Sequence, residues 1–380
     1  MKINIFNIIV LLGSIQGFIL GIFFLVSKKL NRKSNFFLGL LLLSFSMVNL
    51  ANCLWDMGVS QENKLLQFIP LNWTLMIPFS LNYFVQYLVN PKYEFNKKEY
   101  FLLVPFFIQQ TQKLIQLGLF IKNPLLLNEW ALYFDIIIYS LEIVAILYCL
   151  IVFVVAVKRI NQFQIKLQNQ FADIEQRSLA WLKRILIKIA VLLTLWILPY
   201  VFASIYHTDV NNYMYPLWIG MTLVIYWLAW SMFSRRDIFE YTLPEILSPV
   251  ENMDTPNLIS SEKPGSGKWD QHYQELIQLI EKEKLFLDMD ISMSSLAQKM
   301  QLSNGYLSQI INQQENLNFY DFINRFRVEE VKKRLIDPQF QHLSMYGLAL
   351  DCGFKSKSTF NSVFKKMTGL TPSDFKSKHG

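Results

Sequence analysis

The sequence has few of the side chains that build metal sites and disulfide frameworks. Its 380 residues include three cysteines and four histidines, and the histidines lie far apart, without the spacing of metal ligands. Three cysteines cannot all pair, so we expect reduced thiols that pack as small hydrophobic groups. No clustered set of acid, base or metal ligands stands out either. The sequence therefore favours a protein that is not an enzyme, with no metal site and no cofactor.

Charged residues are also scarce, because they make up 17% of the chain whereas hydrophobic residues make up 52%. This composition is apolar for a soluble protein, and the length allows two or three domains. The formal net charge of +7 indicates an anionic partner, either nucleic acid or the headgroups of a lipid bilayer.

Long apolar runs fill the first 236 residues. A helix of about 20 apolar residues crosses a bilayer, and seven runs qualify, although the polar stretch QQTQK interrupts the fourth. The runs lie at 5–26, 36–54, 68–89, 100–121, 131–157, 185–206 and 213–233. The sequence therefore predicts an all-α fold in which residues 1–236 form a transmembrane bundle of seven spans.

Lysine and arginine are concentrated in alternate loops of this bundle. The loops after the first, third and fifth spans and the stretch after the seventh are rich in lysine, arginine or both, whereas the other side offers only Lys2, Lys64 and Lys122. Lysine and arginine stay on the cytoplasmic side of a membrane. We therefore expect the N-terminus outside and the C-terminus in the cytoplasm.

Three ionisable residues fall within the outer or middle parts of the predicted spans. They are Lys113 in the fourth span and Asp135 and Glu142 in the fifth. Such groups are costly in a membrane, usually face the bundle interior and are often paired. One interpretation is a site for a ligand or signal in which Lys113 faces Asp135 or Glu142. The alternative is a structural pair that fixes the register of the helices.

The connection between the fifth and sixth spans, 158–184, is too long for a simple turn. It carries one apolar stripe with steps of three and four residues, formed by Ile160, Phe163, Leu167, Phe171 and Ile174. We expect the fifth helix to continue into the cytoplasm. The stripe would contact a second copy, in a homodimer, or the C-terminal domain, and the alternative is a helix that lies on the lipid headgroups.

Residues 237–268 are rich in Pro, Ser, Gly and Asn and show no period, so the sequence predicts a flexible cytoplasmic linker there. From Trp269 the pattern becomes helical and polar. Ser294 or Ser295 is placed to cap a short helix, and Ser303 is placed to cap a second one. Two short helices around a tight turn form a helix-turn-helix unit.

The same pattern recurs further along the tail, after a helix predicted over 318–336. The apolar set Phe360, Val363 and Phe364 repeats Leu307, Ile310 and Ile311. A spacer of about 19 residues is roughly 28 Å long, which suits two recognition helices about one DNA turn apart.

The second recognition helix is basic and polar on its outward face. Gly353 permits the turn before it. Lysine neutralises DNA phosphates, and Asn, Ser and Thr reach base edges or phosphate oxygens. The outward residues are Lys355, Ser356, Lys357, Ser358, Thr359, Asn361, Ser362, Lys365 and Lys366.

These residues carry a resemblance to a known family. Residues 269–380, which include GFKSKSTFNSVFKKMTGLTPSDFK, resemble the C-terminal DNA-binding domain of the AraC/XylS family of bacterial transcription regulators. The resemblance implies sequence-specific binding of double-stranded DNA through both units, usually to activate transcription beside RNA polymerase. By position, it also implies contacts from the first recognition helix, by Asn304, Tyr306, Ser308, Gln309 and Asn312.

Some positions depart from the family pattern. Gln301 stands where the family often has Gly, Gly305 where a bulky contact residue is common, and Gln309 where Arg is common. The usual arginine near the end is Lys376. We therefore expect less base readout from the first unit than from the second.

The membrane half resembles the seven-span sensors that are fused to this domain in some Bacteroidetes-type regulators. The combined interpretation is a one-component regulator, multi-pass in the bacterial inner (cytoplasmic) membrane, that senses an unknown small molecule or envelope signal. The alternative is a transporter-like or channel-like protein with an autoregulatory DNA-binding tail. A repeated, broken helix pair would favour that alternative, and the sequence shows none.

The lysine and arginine asymmetry makes a testable prediction about topology. A reporter fused after Arg236 should be cytoplasmic, whereas a reporter fused within 207–212 should be extracytoplasmic. Paired fusions to alkaline phosphatase and green fluorescent protein measure the side directly. An extracytoplasmic reporter after Arg236 would contradict any role in DNA binding.

Overall fold

The computed structural model describes residues 4–27, 32–175, 178–208, 210–233 and 266–379, and these form an all-α structure. Short 3₁₀ turns join some helices, and the described residues contain no β-strand. The α-helices are α1 Ile5–Val26, α2 Arg32–Asp56, α3 Val59–Glu62, α4 Met76–Val89, α5 Val104–Lys122, α6 Pro124–Glu129, α7 Ala131–Gln170, α8 Ala180–Tyr206, α9 Tyr215–Phe233, α10 Ser266–Lys282, α11 Met293–Lys299, α12 Asn304–Glu315, α13 Phe319–Ile336, α14 Met345–Asp351, α15 Lys357–Thr368 and α16 Pro372–His379.

The chain divides into two compact units. The N-terminal unit is drawn from 1–161 and 179–241, and the C-terminal unit from 162–178 and 242–380. The C-terminal unit thus includes the end of α7 and the loop that follows it, which lie outside the 269–380 range expected from sequence. Positions 237–265 of the expected linker lie outside the described residues.

Four helices of the described part are long and apolar enough to cross a membrane. They are α1, α2 from Lys33, α7 and α8, with mean hydropathies of 2.5, 1.9, 2.7 and 2.3. Helices α4, α5 and α9 occupy the other three expected positions, so seven crossings stay a prediction. The third expected span is shorter than 68–89, because the Asn72 side chain accepts a hydrogen bond from the Thr74 amide (3.2 Å) in a local turn and α4 begins only at Met76.

Helices α1 and α2 pack closely through a glycine row that the sequence-based predictions missed. Gly13, Gly17 and Gly21 recur at every fourth residue of α1. A Cβ on Gly17 would lie 2.0 Å from the Ser46 hydroxyl, and a Cβ on Gly39 of α2 would lie 2.7 Å from the Gly21 carbonyl oxygen. Small residues at this spacing let backbones approach in membrane helices; Gly17 and Gly21 face α2, whereas a Cβ on Gly13 would lie 2.3 Å from the Thr222 side chain of α9.

Helix α7 has an exposed apolar face and continues well beyond membrane thickness. Ile143, Leu147, Ile151 and Val154 lie on one side of it, and each is more than half exposed, as expected of side chains that face lipid. The 40 residues of α7 make a helix of about 60 Å, against a hydrocarbon core of about 30 Å. The expected continuation of the fifth helix is therefore present.

Two hydrophobic cores build the C-terminal unit. One lies around the first helix-turn-helix unit, α11 and α12, together with α10 and the start of α13. The other lies around the second unit, α14 and α15, with the end of α13. The inner residues expected from periodicity are buried: Leu307, Ile310, Ile311, Phe360, Val363 and Phe364.

Local signals set the ends of these short helices. The Ser303 hydroxyl accepts a hydrogen bond from the Tyr306 amide (3.2 Å), as expected of an N-cap. Ser292, and not Ser294 or Ser295, caps α11, and Ser295 completes a capping box with it. Ser292 takes the cap because it is the last residue with extended backbone before the helix.

A buried arginine lies between the two cores. Arg327 of α13 is 1% exposed. Its Nε donates to the Phe286 carbonyl (2.7 Å), and Nη2 donates to the Asp288 carbonyl (2.8 Å). The guanidinium also lies 5.8 Å from the centre of the Phe354 ring, which is at the turn of the second helix-turn-helix unit. Arg327 thus connects the segment that leads into the first helix-turn-helix unit with the turn of the second helix-turn-helix unit.

Gly353 fits tightly beside this arginine, and its replacement tests the packing. Its φ is +89°, and a Cβ there would lie 2.6 Å from the Phe286 carbonyl oxygen and 2.9 Å from Arg327 Nε. We expect Gly353→Ala to lower the free energy of unfolding of a 266–380 fragment by about 1–3 kcal/mol or more, measured by urea titration with circular dichroism.

Gly305 provides the matched control. It lies in α12, and a Cβ added to it would enter open space, with no neighbouring atom within 4 Å. Gly305→Ala should leave stability unchanged or raise it by up to about 1 kcal/mol, since alanine favours helix. Equal stability of the Gly353→Ala and wild-type fragments would contradict this account of the turn.

Candidate nucleic-acid interface and bundle cavity

Helix α15 presents the polar face expected of the second recognition helix. Its N-cap is Ser356, whose hydroxyl accepts from the Thr359 amide (3.1 Å), and it buries its apolar residues in the second core. The helix dipole makes the start of α15 electropositive. The fully exposed side chains are Lys357, Ser358, Asn361, Ser362, Lys365 and Lys366, while Lys355, Ser356 and Thr359 are half-buried.

Helix α12, the first recognition helix, exposes a smaller set of polar groups. Gln309 and Asn312 are exposed, and Asn304 and Ser308 are half-buried. Gly305 adds no side chain to this face, which supports a weaker contribution to base readout. The turn before α12 contains Gln301 at φ +58°, so this glutamine adopts the left-handed conformation at a position where the related family often has glycine.

Tyr306 differs from its expected role as a contact residue. Its side chain is 5% exposed, its ring centre lies 5.3 Å from that of Trp269, and its hydroxyl is 3.0 Å from Nδ1 of His272. The ring faces α10 because Tyr306 borders the inner residue Leu307.

Two lysines of the expected DNA-binding face are paired within the chain. Lys355 forms an ion pair with Asp290 at 2.5 Å, and Lys366 forms one with Asp321 at 2.7 Å. Lys357 and Lys365 form no ion pair with any described residue, so they are the cations of this face that are available to an external anion.

A carboxylate that the sequence-based predictions missed lies at the start of α15. Glu175, from the loop between α7 and α8, accepts hydrogen bonds from the hydroxyls of Ser356, Ser358 and Thr359. Burial of this carboxylate raises its pKa, but the hydrogen bonds lower it by more, and the pKa lies below that of an ordinary glutamate. Glu175 is therefore charged at neutral pH.

In the N-terminal unit, a cavity of about 300 Å³ includes two of the three ionisable residues expected at a ligand site. Asp135 and Glu142 line it, and the Tyr200 hydroxyl donates to the Glu142 carboxylate. Lys113 does not line it; its ammonium donates instead to the Gln67 carbonyl at 3.5 Å. Other polar lining residues are Asn52, Asn72 and Thr74.

The sequence suggested that Lys113 faces Asp135 or Glu142, but the structure shows no ion pair between Lys113 and either carboxylate. Asp135 still attracts the Lys113 ammonium electrostatically, whereas Glu142 is engaged with Tyr200. Tyr200 was missed because a tyrosine in an apolar span carries no sequence signal of a buried carboxylate partner.

Comparison with known proteins finds a family match in the tail of the chain. Residues 296–378 match the model of a family described as a helix-turn-helix domain. The Transcriptional regulatory protein HptR of Staphylococcus aureus is 25% identical over 108 residues, which are 28% of this chain and 40% of HptR. The uncharacterized HTH-type transcriptional regulator YpdC of Escherichia coli is 28% identical over 88 residues, 23% of this chain and 30% of YpdC.

The chain thus matches less than half the length of these curated relatives. A solved structure of a protein of unknown function from Listeria innocua is 25% identical, with 28% of this chain and 97% of that chain covered and a TM-score of 0.25. The family match, the two exposed recognition helices and the buried inner faces agree with one another. Residues 296–378 of this chain form a helix-turn-helix domain of the AraC type, similar to that of transcription regulators.

Proposed function

We propose that this protein is a membrane-bound, one-component transcription regulator. The observation that carries the proposal is the combination, in one chain, of a helix-turn-helix domain with exposed polar recognition helices and of helices long enough to cross a membrane. The C-terminal unit binds promoter DNA sequence-specifically, and the helical bundle senses a signal.

The exposed residues of α15 and α12 divide between phosphate and base contacts. Lys357 and Lys365 neutralise phosphates, and Asn361 reads a base edge in the major groove. Gln309 and Asn312 supply the smaller contribution of α12. The 18 residues of α13 separate the two units by about 27 Å, so one copy of the chain engages two successive stretches of groove.

The proposed location of the protein follows from the need of the C-terminal unit to reach DNA in the cytoplasm. The C-terminal unit lies in the cytoplasm and the bundle crosses the bacterial inner membrane several times, as the lysine and arginine distribution supports. Promoter-bound activators of this type act beside RNA polymerase, which we propose as the protein partner.

The bundle cavity is the proposed signal site. Its polar lining residues come from the end of α2, the start of α7 and the segment that leads into α4, which the predicted topology places at the outer side. The carboxylates of Asp135 and Glu142 suit a small molecule that donates hydrogen bonds or carries positive charge. Such a ligand shifts the protein only by binding its conformations unequally.

The apolar stripe after the fifth span does not support a homodimer through that surface. Phe163 and Leu167 are 2% and 0% exposed within the single chain, and Ile160 is 1% exposed. The stripe is therefore covered in this structure. We propose the monomer as the DNA-binding species, and a homodimer would need another surface.

Two substitutions in α15 test sequence-specific DNA binding. Asn361→Ala should cost about 1–3 kcal/mol at a cognate site and little on random DNA, because only the cognate site offers the matching base edge. Lys365→Ala should weaken both about equally and flatten the salt dependence by about one unit. Titrations of labelled duplexes, with the cognate site taken from a genome-wide binding footprint, measure both. Equal losses for Asn361→Ala on both DNAs would show that it reads no base.

One substitution in the cavity tests the sensing role. Glu142→Gln should change the response of the footprinted promoters to the inducing condition, because it removes one of the two carboxylates that line the cavity, while DNA binding by the C-terminal unit stays intact. Reporter fusions to those promoters measure the response. Glu129→Gln, an exposed acid of α6 outside the cavity, is the matched control. Wild-type induction in both variants would remove Glu142 from sensing.

A further inference from the structure

The loop between α7 and α8 belongs to the C-terminal unit as far as Ser178, although α8 and α9 separate it from α10 in the sequence. We call it the α7–α8 loop; residues 171–175, 178 and 179 of it are described. In the proposed topology this loop is cytoplasmic, so it is on the same side of the membrane as the DNA. Its contacts show what it does there.

The first part of the loop is anchored by backbone and core contacts. Ala172 is fully buried in the first core, and its carbonyl accepts hydrogen bonds from Asn324 Nδ2 (3.2 Å) and Arg327 Nη1 (3.4 Å). Phe171 and Ser292 form an antiparallel β-bridge. This set of contacts places the loop in one defined position on the unit.

The second part of the loop presents Glu175. The Asp173 carboxylate accepts from the Glu175 amide (3.2 Å), which is the turn typical of an aspartate two residues earlier. The Ser178 hydroxyl donates to the Glu175 carbonyl (3.2 Å). These bonds hold the backbone of Glu175 so that its side chain reaches the start of α15.

The three hydroxyls that Glu175 binds are the donors that a DNA phosphate would use. Ser and Thr hydroxyls, backbone amides and helix N-termini make the phosphate contacts that position a protein on DNA. A carboxylate matches a phosphate here because both offer negatively charged oxygens, and the two cannot occupy the same donors together.

We propose that the α7–α8 loop is an internal competitor of DNA, in which Glu175 occupies the place of a backbone phosphate at the N-terminus of the second recognition helix. This inference rests on the proposed function, since it needs α15 to bind DNA. The structure shows the closed arrangement. DNA binds after the loop is withdrawn, and α7 and α8, which continue the loop in both directions along the chain, are the elements that withdraw it.

The pKa of Glu175 indicates what kind of signal opens the loop. Because the pKa is lowered in the closed arrangement, the contact is present at neutral pH and is lost only as the pH falls through that lowered value. Changes of pH near neutrality therefore leave the loop closed. A change in the position of α7 or α8, as on ligand binding, is the kind of signal that opens it.

Competition between the loop and DNA changes the apparent dissociation constant for DNA, which can be measured. The apparent dissociation constant of a protein is its intrinsic value divided by the fraction of molecules in the competent state. A loop that is closed in about nine molecules of ten therefore weakens DNA binding about tenfold. It does so for every DNA sequence, since the contact it replaces is to a phosphate.

The test uses the full-length protein in bilayer discs of phosphatidylcholine, a lipid without net charge. The probe is a labelled duplex of random sequence, about 30 base pairs long, which accommodates two recognition helices one turn apart. Binding is followed by fluorescence anisotropy at low salt, where phosphate contacts dominate. We expect Glu175→Gln and Glu175→Ala each to tighten binding about tenfold, with Glu175→Ala at least as strong because it also removes the acceptor oxygens.

The matched control is Glu281→Gln, which removes an exposed acid of α10 in the same unit. It should leave the affinity within twofold of wild type, because Glu281 makes no contact with α15. An equal gain for Glu281→Gln and Glu175→Gln would assign the effect to net charge and overturn the inference.

Two further outcomes separate the inference from the function on which it rests. If wild type and both Glu175 variants bind the duplex with equal affinity, the loop does not compete with DNA, while the proposed DNA binding stands. If none of the proteins binds any duplex, DNA binding itself fails, and the competition fails with it.

Discussion

The buried guanidinium of Arg327 is the interaction on which the C-terminal unit depends. Removing an arginine from water costs several kcal/mol unless its donors are satisfied, and the donors here are satisfied by carbonyls of Phe286 and Asp288. Gly353 allows the second unit to approach the same group, because any Cβ there would collide with it. One side chain of α13, the helix that separates the two helix-turn-helix units, thus contacts both of them. Burial lowers the pKa of Arg327 to about 10, which still leaves it charged at neutral pH.

The same arginine also receives the α7–α8 loop through the Ala172 carbonyl. If the loop departs, Nη1 still donates to Asn324 Oδ1 at 3.2 Å, so it is not left without a partner. A donor that becomes hydrated loses little, whereas a donor left dry and unpaired costs about 1–3 kcal/mol. The loop can therefore leave without disturbing the separation of the two recognition helices. The two helix-turn-helix units can therefore stay rigidly connected while the loop leaves and returns.

Local signals in the sequence predicted the positions of the helices well. They could not predict contacts between residues that are far apart in the chain. Apolar periodicity, the Ser303 cap and the turn at Gly353 depend on a few neighbouring residues, and each is found in the structure. The burial of Tyr306 and the pairing of Glu175 with Ser358 depend on segments far apart in the chain, and no periodicity reports them. The glycine row of α1 is a different case, because its spacing was visible in the sequence and was overlooked.

An internal competitor has a particular value for a DNA-binding domain that is tethered to a membrane. Such a domain meets mainly non-specific DNA, which proteins of this kind bind with dissociation constants of about 10⁻⁴–10⁻⁶ M through phosphate contacts alone. A carboxylate at the start of α15 raises the apparent dissociation constant for all DNA by the same factor. It therefore leaves the ratio of affinities for specific and random sites unchanged. It lowers the occupancy of random DNA, however, where binding is weak and unsaturated. A cognate site adds several base contacts of about 1–3 kcal/mol each, so it competes with the loop better than random DNA does, and withdrawal of the loop by α7 or α8 raises the occupancy of that site further.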